Sequence, residues 1–315
     1  MEFSHGGHAT ALILPSVILA FGLVRGDPVD PLLLAIAYLI PLVIYAYDYY
    51  RELDRDRLTQ PERAGYLKKK GRIYPYLISG YVASLSALIV LYGRCLPELA
   101  AMIGVLLGAG MLYTAFLKRM TRFVPGFKSF YVTGVWVLAI ALMYIIYSGR
   151  RPEALLPVLV CFMFIKLATN AVFYDLRDIG ADGRDGLKTI PVVLGWRRTI
   201  QLLYLLCLLS PVPLLAGMLA GAVPGGAMAL LAFTAYDLGF VRLAETKGEA
   251  GMAARHYAVA DFEFLPWPAA VAACLWLLDV YGPAPTAALM ALAVGGSVLL
   301  AWLLLGPSNL AEGRG

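Results

Sequence analysis

Residues 31–57 read PLLLAIAYLIPLVIYAYDYYRELDRDR, and they change abruptly from apolar to charged. The first sixteen residues of the stretch carry no charge, whereas nine of the sixteen side chains at positions 48–63 are charged, with acids and bases interleaved. An apolar helix of about twenty residues crosses ~30 Å of hydrocarbon. The stretch therefore predicts a membrane-spanning helix that ends in a charged loop.

The composition of the whole chain extends this prediction. Of 315 residues, 60% are hydrophobic and 15% are charged, whereas soluble domains are usually about 45–50% apolar and about 25% charged. The apolar residues fall in long runs without the period-2 alternation of strands. Four cysteines without a CxxC spacing and three scattered histidines indicate neither a redox motif nor a zinc site. We expect an all-α integral membrane protein in contact with membrane lipid, and no nucleic-acid partner.

Ten apolar segments are long enough, or nearly so, to cross a membrane. They are residues 8–24, 31–50, 74–92, 97–117, 126–147, 152–174, 199–222, 225–245, 260–281 and 284–305. We expect a single membrane domain over residues 1–315, in which the last segment is an addition to a nine-helix core.

The basic residues of the loops predict the orientation, because cytoplasmic loops retain Lys and Arg. Twenty-one Lys and Arg residues fall in the terminal tail and alternate loops on one side, and four fall on the other side. The one remaining basic residue, Lys166, lies in the middle of a span. We therefore expect a multi-pass protein whose N-terminus and acid-rich loops face the cytoplasm.

The first acid-rich loop carries three carboxylates at a helical spacing. Asp48, Glu52 and Asp56 are four residues apart. Each step of four residues turns a helix by only about 40°, so these carboxylates form one stripe, and Asp54 falls outside it.

The second acid-rich segment follows the sixth span and repeats this spacing. Asp178 and Asp182 are four residues apart, and Asp175 lies within about 60° of the same face. Glycines at positions 180, 183 and 186 then let the chain turn away.

Like charges four residues apart destabilise a helix unless a cation holds them together. Oxygen ligands without histidine or thiolate are typical of Mg²⁺, which binds carboxylates together with phosphate oxygens. Two such stripes, surrounded by Arg and Lys, predict a site for a diphosphate bridged by metal. The alternative is that both segments are solvated loop charges.

Both segments resemble the motifs of the UbiA superfamily of intramembrane prenyltransferases, and the resemblance covers about residues 8–280. DLRDIGADGRDGLKTIPVVLG, residues 175–195, is similar to the family's DxRDxxxDxxxGxxTxPxxxG. When Pro61 and Arg63 are aligned with the family's P-x-R, the first stripe falls on the NxxxDxxxD positions, with Asp in place of Asn and Glu in place of the first Asp. YTAFLKR, residues 113–119, resembles the aromatic-then-Lys segment that ends the family's fourth helix.

This resemblance implies a bundle of nine transmembrane helices, or ten with the final segment, around a central cavity under cytoplasmic cap loops. An isoprenyl diphosphate would lie with its tail among the helices and its head on Mg²⁺. The metal ligands would be Asp48, Glu52, Asp56, Asp178 and Asp182, and Asp175 would complete the catalytic set. The residues expected to bind the diphosphate are Arg63, Lys118 and Lys188.

Ionisation of an isoprenyl diphosphate leaves an allylic cation, which needs a dry wall rich in π electrons. The aromatic residues near the right depth are Tyr47, Tyr50, Tyr113, Phe130, Tyr131, Phe173 and Tyr174. For each of them the alternative is anchoring at the membrane interface. Asn170 and Lys166 share one helix face and are expected to reach the cavity, although Lys166 could equally satisfy contacts between helices.

Three functions fit these patterns. The first is a Mg²⁺-dependent prenyltransferase that transfers its chain to an aromatic or other lipid-precursor acceptor, which the sequence does not identify. The second is a terpene cyclase of the same superfamily, in which the chain's own double bonds capture the cation. The third is a non-catalytic lipid transporter or scaffold, since charge inside a membrane can mark a substrate path.

Overall fold

The computed structural model describes residues 6–51, 53, 61–93, 96–149 and 153–290. Within these ranges the chain forms α-helices and two 3₁₀ segments, Leu117–Arg122 and Gly225–Ala227, without a β-strand. The helices are α1 (His8–Ala11), α2 (Ile13–Arg25), α3 (Pro31–Arg51), α4 (Pro61–Lys69), α5 (Tyr74–Tyr92), α6 (Leu96–Ala115), α7 (Phe127–Ser148), α8 (Leu155–Arg177), α9 (Ile179–Arg184), α10 (Ile190–Leu209), α11 (Val212–Leu219), α12 (Met228–Leu231), α13 (Phe233–Gly251), α14 (Ala254–Tyr257), α15 (Val259–Phe262) and α16 (Trp267–Tyr281).

The predicted all-α membrane architecture is confirmed. In the described part of the chain, eight helical stretches are long and apolar enough to cross a membrane, and Pro97–Tyr113 is a shorter apolar helix. These nine stretches correspond to the first nine predicted spans. Residues 283–290 are also helical, but most of the tenth predicted span, 284–305, lies outside the described residues. The count of nine or ten spans therefore stays a prediction.

The boundaries follow local sequence signals closely at α3. Pro31 stands first in this helix, where its missing N–H removes no hydrogen bond, and the carboxylate of Asp30 accepts a hydrogen bond from the backbone N of Leu32 at 2.9 Å.

The largest difference between the predicted and the observed helix boundaries is in the seventh span, predicted at 199–222. The helix there begins at Ile190 and bends at Gly195, where φ is 75° and ψ is 165°. The sequence interpretation missed residues 190–198 of this helix because they follow a polar loop.

The two helices that lead into the acidic segments, α3 and α8, each pack against several neighbours. Helix α3 contacts α2, α5 and α6, and α8 contacts α7, α10 and α11. Backbone hydrogen bonding within each helix lets such a bundle stand in lipid. Apolar side chains on the outer faces, such as Leu91 and Leu208, remain more than half exposed, as lipid contact requires.

A backbone connection joins the segment before α7 to the loop that follows α9. The N–H of Gly126 donates to the carbonyl of Lys188 at 2.8 Å, and the N–H of Lys188 donates to the carbonyl of Thr121 at 2.9 Å. Gly126 has φ of 72°, and a Cβ at this position would lie 3.0 Å from Cγ1 of Ile190. Both facts favour glycine here. The connection fixes the start of α7 beside the second acidic segment.

Candidate functional site

A cavity of about 320 Å³ opens between the ends of α3 and α8. Asp48 of the first acidic segment and Asp175 and Asp178 of the second line the same space. Side chains from α1, α4, α6, α7 and α15, together with the 3₁₀ segment after α6, complete the wall. The structure thus brings together acids that are more than 120 positions apart in the chain.

The second acidic segment is held in a compact turn. The backbone N–H of Asp182 donates to the carbonyl of Asp178 at 2.8 Å, and that of Leu187 donates to the carbonyl of Asp182 at 2.8 Å. Arg177 donates through Nε to Asp178 at 2.9 Å and through a second nitrogen at 3.0 Å. Asp175 and Asp182 are buried. The carboxylates of this segment are therefore positioned by hydrogen bonds and ion pairs rather than solvated as loop charges.

Lys128, at the start of α7, is a site residue that the sequence interpretation missed. Its Nζ lies 2.7 Å from Asp175, 3.7 Å from Asp178 and 3.1 Å from Asp182. The neighbouring Ser129 donates to Asp175 at 2.6 Å. The sequence interpretation counted Lys128 only as a loop charge, because nothing in the local spacing connects it to acids some fifty residues later.

The first acidic segment is described only in part. Asp48 lines the cavity, whereas Glu52 and Asp56 lie outside the described residues, so their role as ligands stays a prediction. Arg63, on α4, lines the cavity, and its guanidinium carbon lies 3.9 Å above the ring of Tyr49. A basic side chain and Asp48 therefore line the same cavity.

The other two basic residues predicted to bind diphosphate differ in placement. Lys118, in the 3₁₀ segment after α6, lines the cavity. Lys188 is exposed and is not among the lining residues, and its backbone is bonded to Thr121 and Gly126. A role for Lys188 with the diphosphate stays a prediction.

The predicted aromatic residues separate into two groups. Tyr113 and Tyr174 line the main cavity, and Tyr131 stacks on Tyr113 with ring centroids 5.2 Å apart. The others lie elsewhere among the described residues: Phe130 and Tyr50 are exposed, Phe173 packs on Phe240 in a buried cluster, and Tyr47 is not part of the lining.

A second, apolar cavity of about 130 Å³ shares lining residues with the first. Tyr45, Asp48 and Tyr113 belong to both walls. The remaining wall is formed mainly by aliphatic side chains and includes Leu14, Ile40, Ile44, Leu106, Val135 and Ala139, together with Tyr131. A polar compartment with acids and cations therefore adjoins a narrow apolar one.

Asn170 lines the main cavity as expected, and it meets an aspartate that the sequence interpretation did not single out. Its Nδ2 lies 3.5 Å from Asp261 Oδ1, and the hydroxyl of Thr10 donates to Asp261 Oδ2 at 2.7 Å. Lys166 does not line the cavity. It is buried and forms ion pairs with Asp237, at 2.6 Å, and with Glu263. Of the two roles expected for Lys166, the structure therefore shows the contact between helices and not the contact with the cavity.

The donor set of the polar compartment fits a hard cation. Its described ligands are carboxylates without histidine or thiolate, and those of the second segment converge on the ammonium of Lys128. Oxygen-only sets of this kind suit Mg²⁺. Among the residues that the structure describes, no group of three or more His, Cys, Asp or Glu side chains is already arranged to hold a metal.

Comparisons with known proteins identify the family and the fold of the chain. The sequence profile of the UbiA prenyltransferase family matches residues 12–259. The fold is similar to that of a UbiA homologue from Aeropyrum pernix K1, with a TM-score of 0.62 and 18% identity, over 84% of this chain and 98% of that chain. It is also similar to a UbiA homologue from Archaeoglobus fulgidus bound to GPP and Mg²⁺, with a TM-score of 0.60 and 16% identity, over 87% of this chain and 100% of that chain.

One relative is similar in sequence. The digeranylgeranylglyceryl phosphate synthase of Natronomonas pharaonis is 30% identical over 184 residues, which are 55% of this chain and 61% of that protein. The aligned part therefore spans less than two thirds of the relative.

Proposed function

The chain belongs to the UbiA prenyltransferase family, and from that premise we propose that it is a Mg²⁺-dependent intramembrane prenyltransferase. The observation that carries the proposal is the shared cavity of Asp48 and Asp178, beside an apolar compartment. A homologue of the same fold is bound to GPP and Mg²⁺. The substrate would be an isoprenyl diphosphate, whose charged head matches the polar compartment and whose apolar tail matches the apolar compartment.

The head of the substrate would lie in the polar compartment. Arg63, Lys118 and Lys128 line this space and can neutralise diphosphate oxygens. Asp48 and Asp178, which line this space, would hold Mg²⁺. Asp182, which is buried behind Lys128, would join them together with Glu52 and Asp56 as predicted, while Asp175 keeps Lys128 in place. The metal would supply stabilisation of the negative charge that develops on the departing diphosphate.

The tail would lie in the apolar compartment, and its allylic carbon would then be near the aromatic residues between the two. Tyr45, Tyr113 and Trp136 line both cavities. Their π faces can stabilise a developing carbocation, and their bulk keeps water from capturing it. The excess of basic residues on one side of the membrane supports a cytoplasmic location of the polar compartment.

The second substrate is the acceptor of the prenyl chain. The relative from Natronomonas pharaonis is named as a digeranylgeranylglyceryl phosphate synthase. We therefore take geranylgeranylglyceryl phosphate, which has one free hydroxyl, as the first acceptor to test, and a phenol as the second.

The proposal is tested with purified protein in lipid nanodiscs and radiolabelled geranylgeranyl diphosphate. We expect diphosphate release only when Mg²⁺ is present, and a loss of at least about 100-fold in Asp178→Asn and in Asp182→Asn. Asp279→Asn, at an exposed carboxylate on α16, is the matched control and should behave as wild type. Unchanged turnover in both Asp178→Asn and Asp182→Asn would contradict the proposal.

The same assay separates the two alternatives. A cyclic hydrocarbon formed without an added acceptor would indicate a terpene cyclase. Lipid flux across proteoliposomes without any diphosphate release would indicate a transporter or scaffold.

A further inference from the structure

Asp261 is a carboxylate of the main cavity that belongs to neither acidic segment. It lies on α15, at the start of the last described span, and it lines the cavity opposite α8. Thr10 donates to one of its oxygens at 2.7 Å, and Asn170 to the other at 3.5 Å. Tyr174 lies beside Asp261 in the same cavity wall. Neutral donors therefore orient the carboxylate without neutralising its charge.

The position of Asp261 can be compared with the expected diphosphate site along α8. One face of α8 carries polar residues at steps of four: Asn170, Tyr174 and, just after the end of the helix, Asp178. With a rise of 1.5 Å per residue, Tyr174 lies ~6 Å and Asn170 ~12 Å deeper in the bundle than Asp178. Asp261 contacts the two deeper residues. It therefore stands one to two helical turns deeper than Asp178, where the head of the substrate is expected.

The other acids of the described cavity lining are committed elsewhere. Asp175 and Asp178 are in ion pairs with Lys128, and Asp178 also pairs with Arg177. Asp48 belongs to the first acidic stripe. Thr10, Asn170 and Asp261 line the main cavity but not the apolar compartment. The carboxylate of Asp261 therefore lies in a part of the main cavity that the prenyl tail would not occupy. An acceptor would enter on this side.

Resting on the proposed function, we propose that Asp261 accepts the proton of an acceptor hydroxyl group. The bond between C1 of the isoprenyl chain and the diphosphate oxygen breaks, and its electron pair leaves with the diphosphate. The acceptor oxygen forms the new bond to C1, and its proton moves to an oxygen of Asp261. Thr10 and Asn170 hold that carboxylate in place. The acceptor class is thereby an alcohol or a phenol rather than an unactivated carbon.

The test separates transfer from ionisation in the Asp261→Asn variant. Three quantities are measured: binding of geranylgeranyl thiodiphosphate, Mg²⁺-dependent hydrolysis of geranylgeranyl diphosphate without acceptor, and transfer to geranylgeranylglyceryl phosphate or a phenol. We expect transfer to fall by at least about 100-fold. Thiodiphosphate binding and hydrolysis should stay within about threefold of wild type, which also shows that the variant is folded.

Two further variants and one control sharpen the result. Thr10→Val removes one donor to the carboxylate and should reduce transfer by less than about tenfold, the value of one hydrogen bond. Glu245→Gln changes an exposed carboxylate outside the cavity lining and should change none of the three quantities. Asp261→Glu restores a carboxylate and should recover part of the transfer.

Every outcome bears on the proposal. Unchanged transfer in Asp261→Asn would overturn it, and so would a parallel loss of thiodiphosphate binding or hydrolysis, which would place Asp261 with the diphosphate groups. Hydrolysis in the wild type without transfer to either acceptor would overturn the hydroxyl assignment. Absence of Mg²⁺-dependent diphosphate release in the wild type would instead refute the proposed function itself.

Discussion

The Nζ atom of Lys128 lies 3.1 Å from Oδ2 of Asp182, although the two residues are 54 positions apart. The same ammonium also approaches Asp175 and Asp178. A lysine thus occupies the negative potential of the second acidic segment, where the proposed metal would be drawn. Because both charges are positive, Lys128 should weaken the binding of a divalent cation at this segment.

We predict that Lys128→Gln binds Mn²⁺ more tightly than wild type when no diphosphate is present. Two unit charges ~4 Å apart interact by about 1 kcal/mol even at the dielectric constant of water, and the divalent ion doubles this. We expect an affinity gain of at least about tenfold. The measurement is an electron paramagnetic resonance titration of Mn²⁺.

Lys188→Gln is the control for this titration, because Lys188 is exposed and does not line the cavity. It should leave the Mn²⁺ affinity near that of wild type. Equal affinities in all three proteins would show that Lys128 does not oppose metal binding.

The second prediction concerns the length of the prenyl chain. Ala139 lines the apolar compartment, and its neighbour Leu138 is 41% exposed on the outer face of α7. Ala139→Phe places a ring where the distal part of a long tail would lie. We expect kcat/KM for geranylgeranyl diphosphate to fall relative to geranyl diphosphate by about tenfold or more.

Leu138→Phe adds a similar ring on the outer face of the same helix and should leave this ratio unchanged. The measurement is kcat/KM for both diphosphates in each variant. If Ala139→Phe lowers kcat/KM equally for the two substrates, the tail does not use this compartment.

Much of the fold follows from local sequence. The length and composition of an apolar run determine whether it can cross a membrane, so the predicted spans 31–50 and 74–92 nearly coincide with Pro31–Arg51 and Tyr74–Tyr92. The sequence also predicts the convergence of Asp48 and Asp178 on one cavity, because the charge pattern assigns the ends of both spans to the same side of the membrane.

The remaining site residues depend on contacts between distant segments. The backbone bond between Gly126 and Lys188 holds the start of α7, and with it Lys128, beside the acids, and no spacing rule encodes that connection. Asp261 is a single aspartate at a span boundary, which carries no signal until Thr10 and Asn170 are seen beside it.

Lys166 shows the limit of helix periodicity. It shares a face with Asn170, but it lies about 6 Å further along the axis. At that depth its neighbours are Asp237 and Glu263, which come from later spans. Helix periodicity predicts which residues share a face of α8, but it does not predict which side chains of other helices contact each of them.

The third prediction concerns this buried cluster of Lys166, Asp237 and Glu263. All three side chains are at most 1% exposed, and Lys166 also donates to the carbonyl of Phe233 at 3.3 Å. Removing one member of a buried ion pair leaves an uncompensated charge, which typically costs 3–5 kcal/mol. We expect Lys166→Met to lower the unfolding temperature of the protein in detergent markedly, as measured by intrinsic fluorescence.

A triple variant, Lys166→Met with Asp237→Asn and Glu263→Gln, distinguishes charge from packing. Neutralising the two carboxylates removes the uncompensated charge, so most of the lost unfolding temperature should return. Because Lys166 does not line the cavity, the folded fraction of each variant should still bind geranylgeranyl thiodiphosphate. A single variant as stable as wild type would mean that the ion pairs contribute nothing net. A triple variant no better than the single one would assign the loss to packing of the lysine stem.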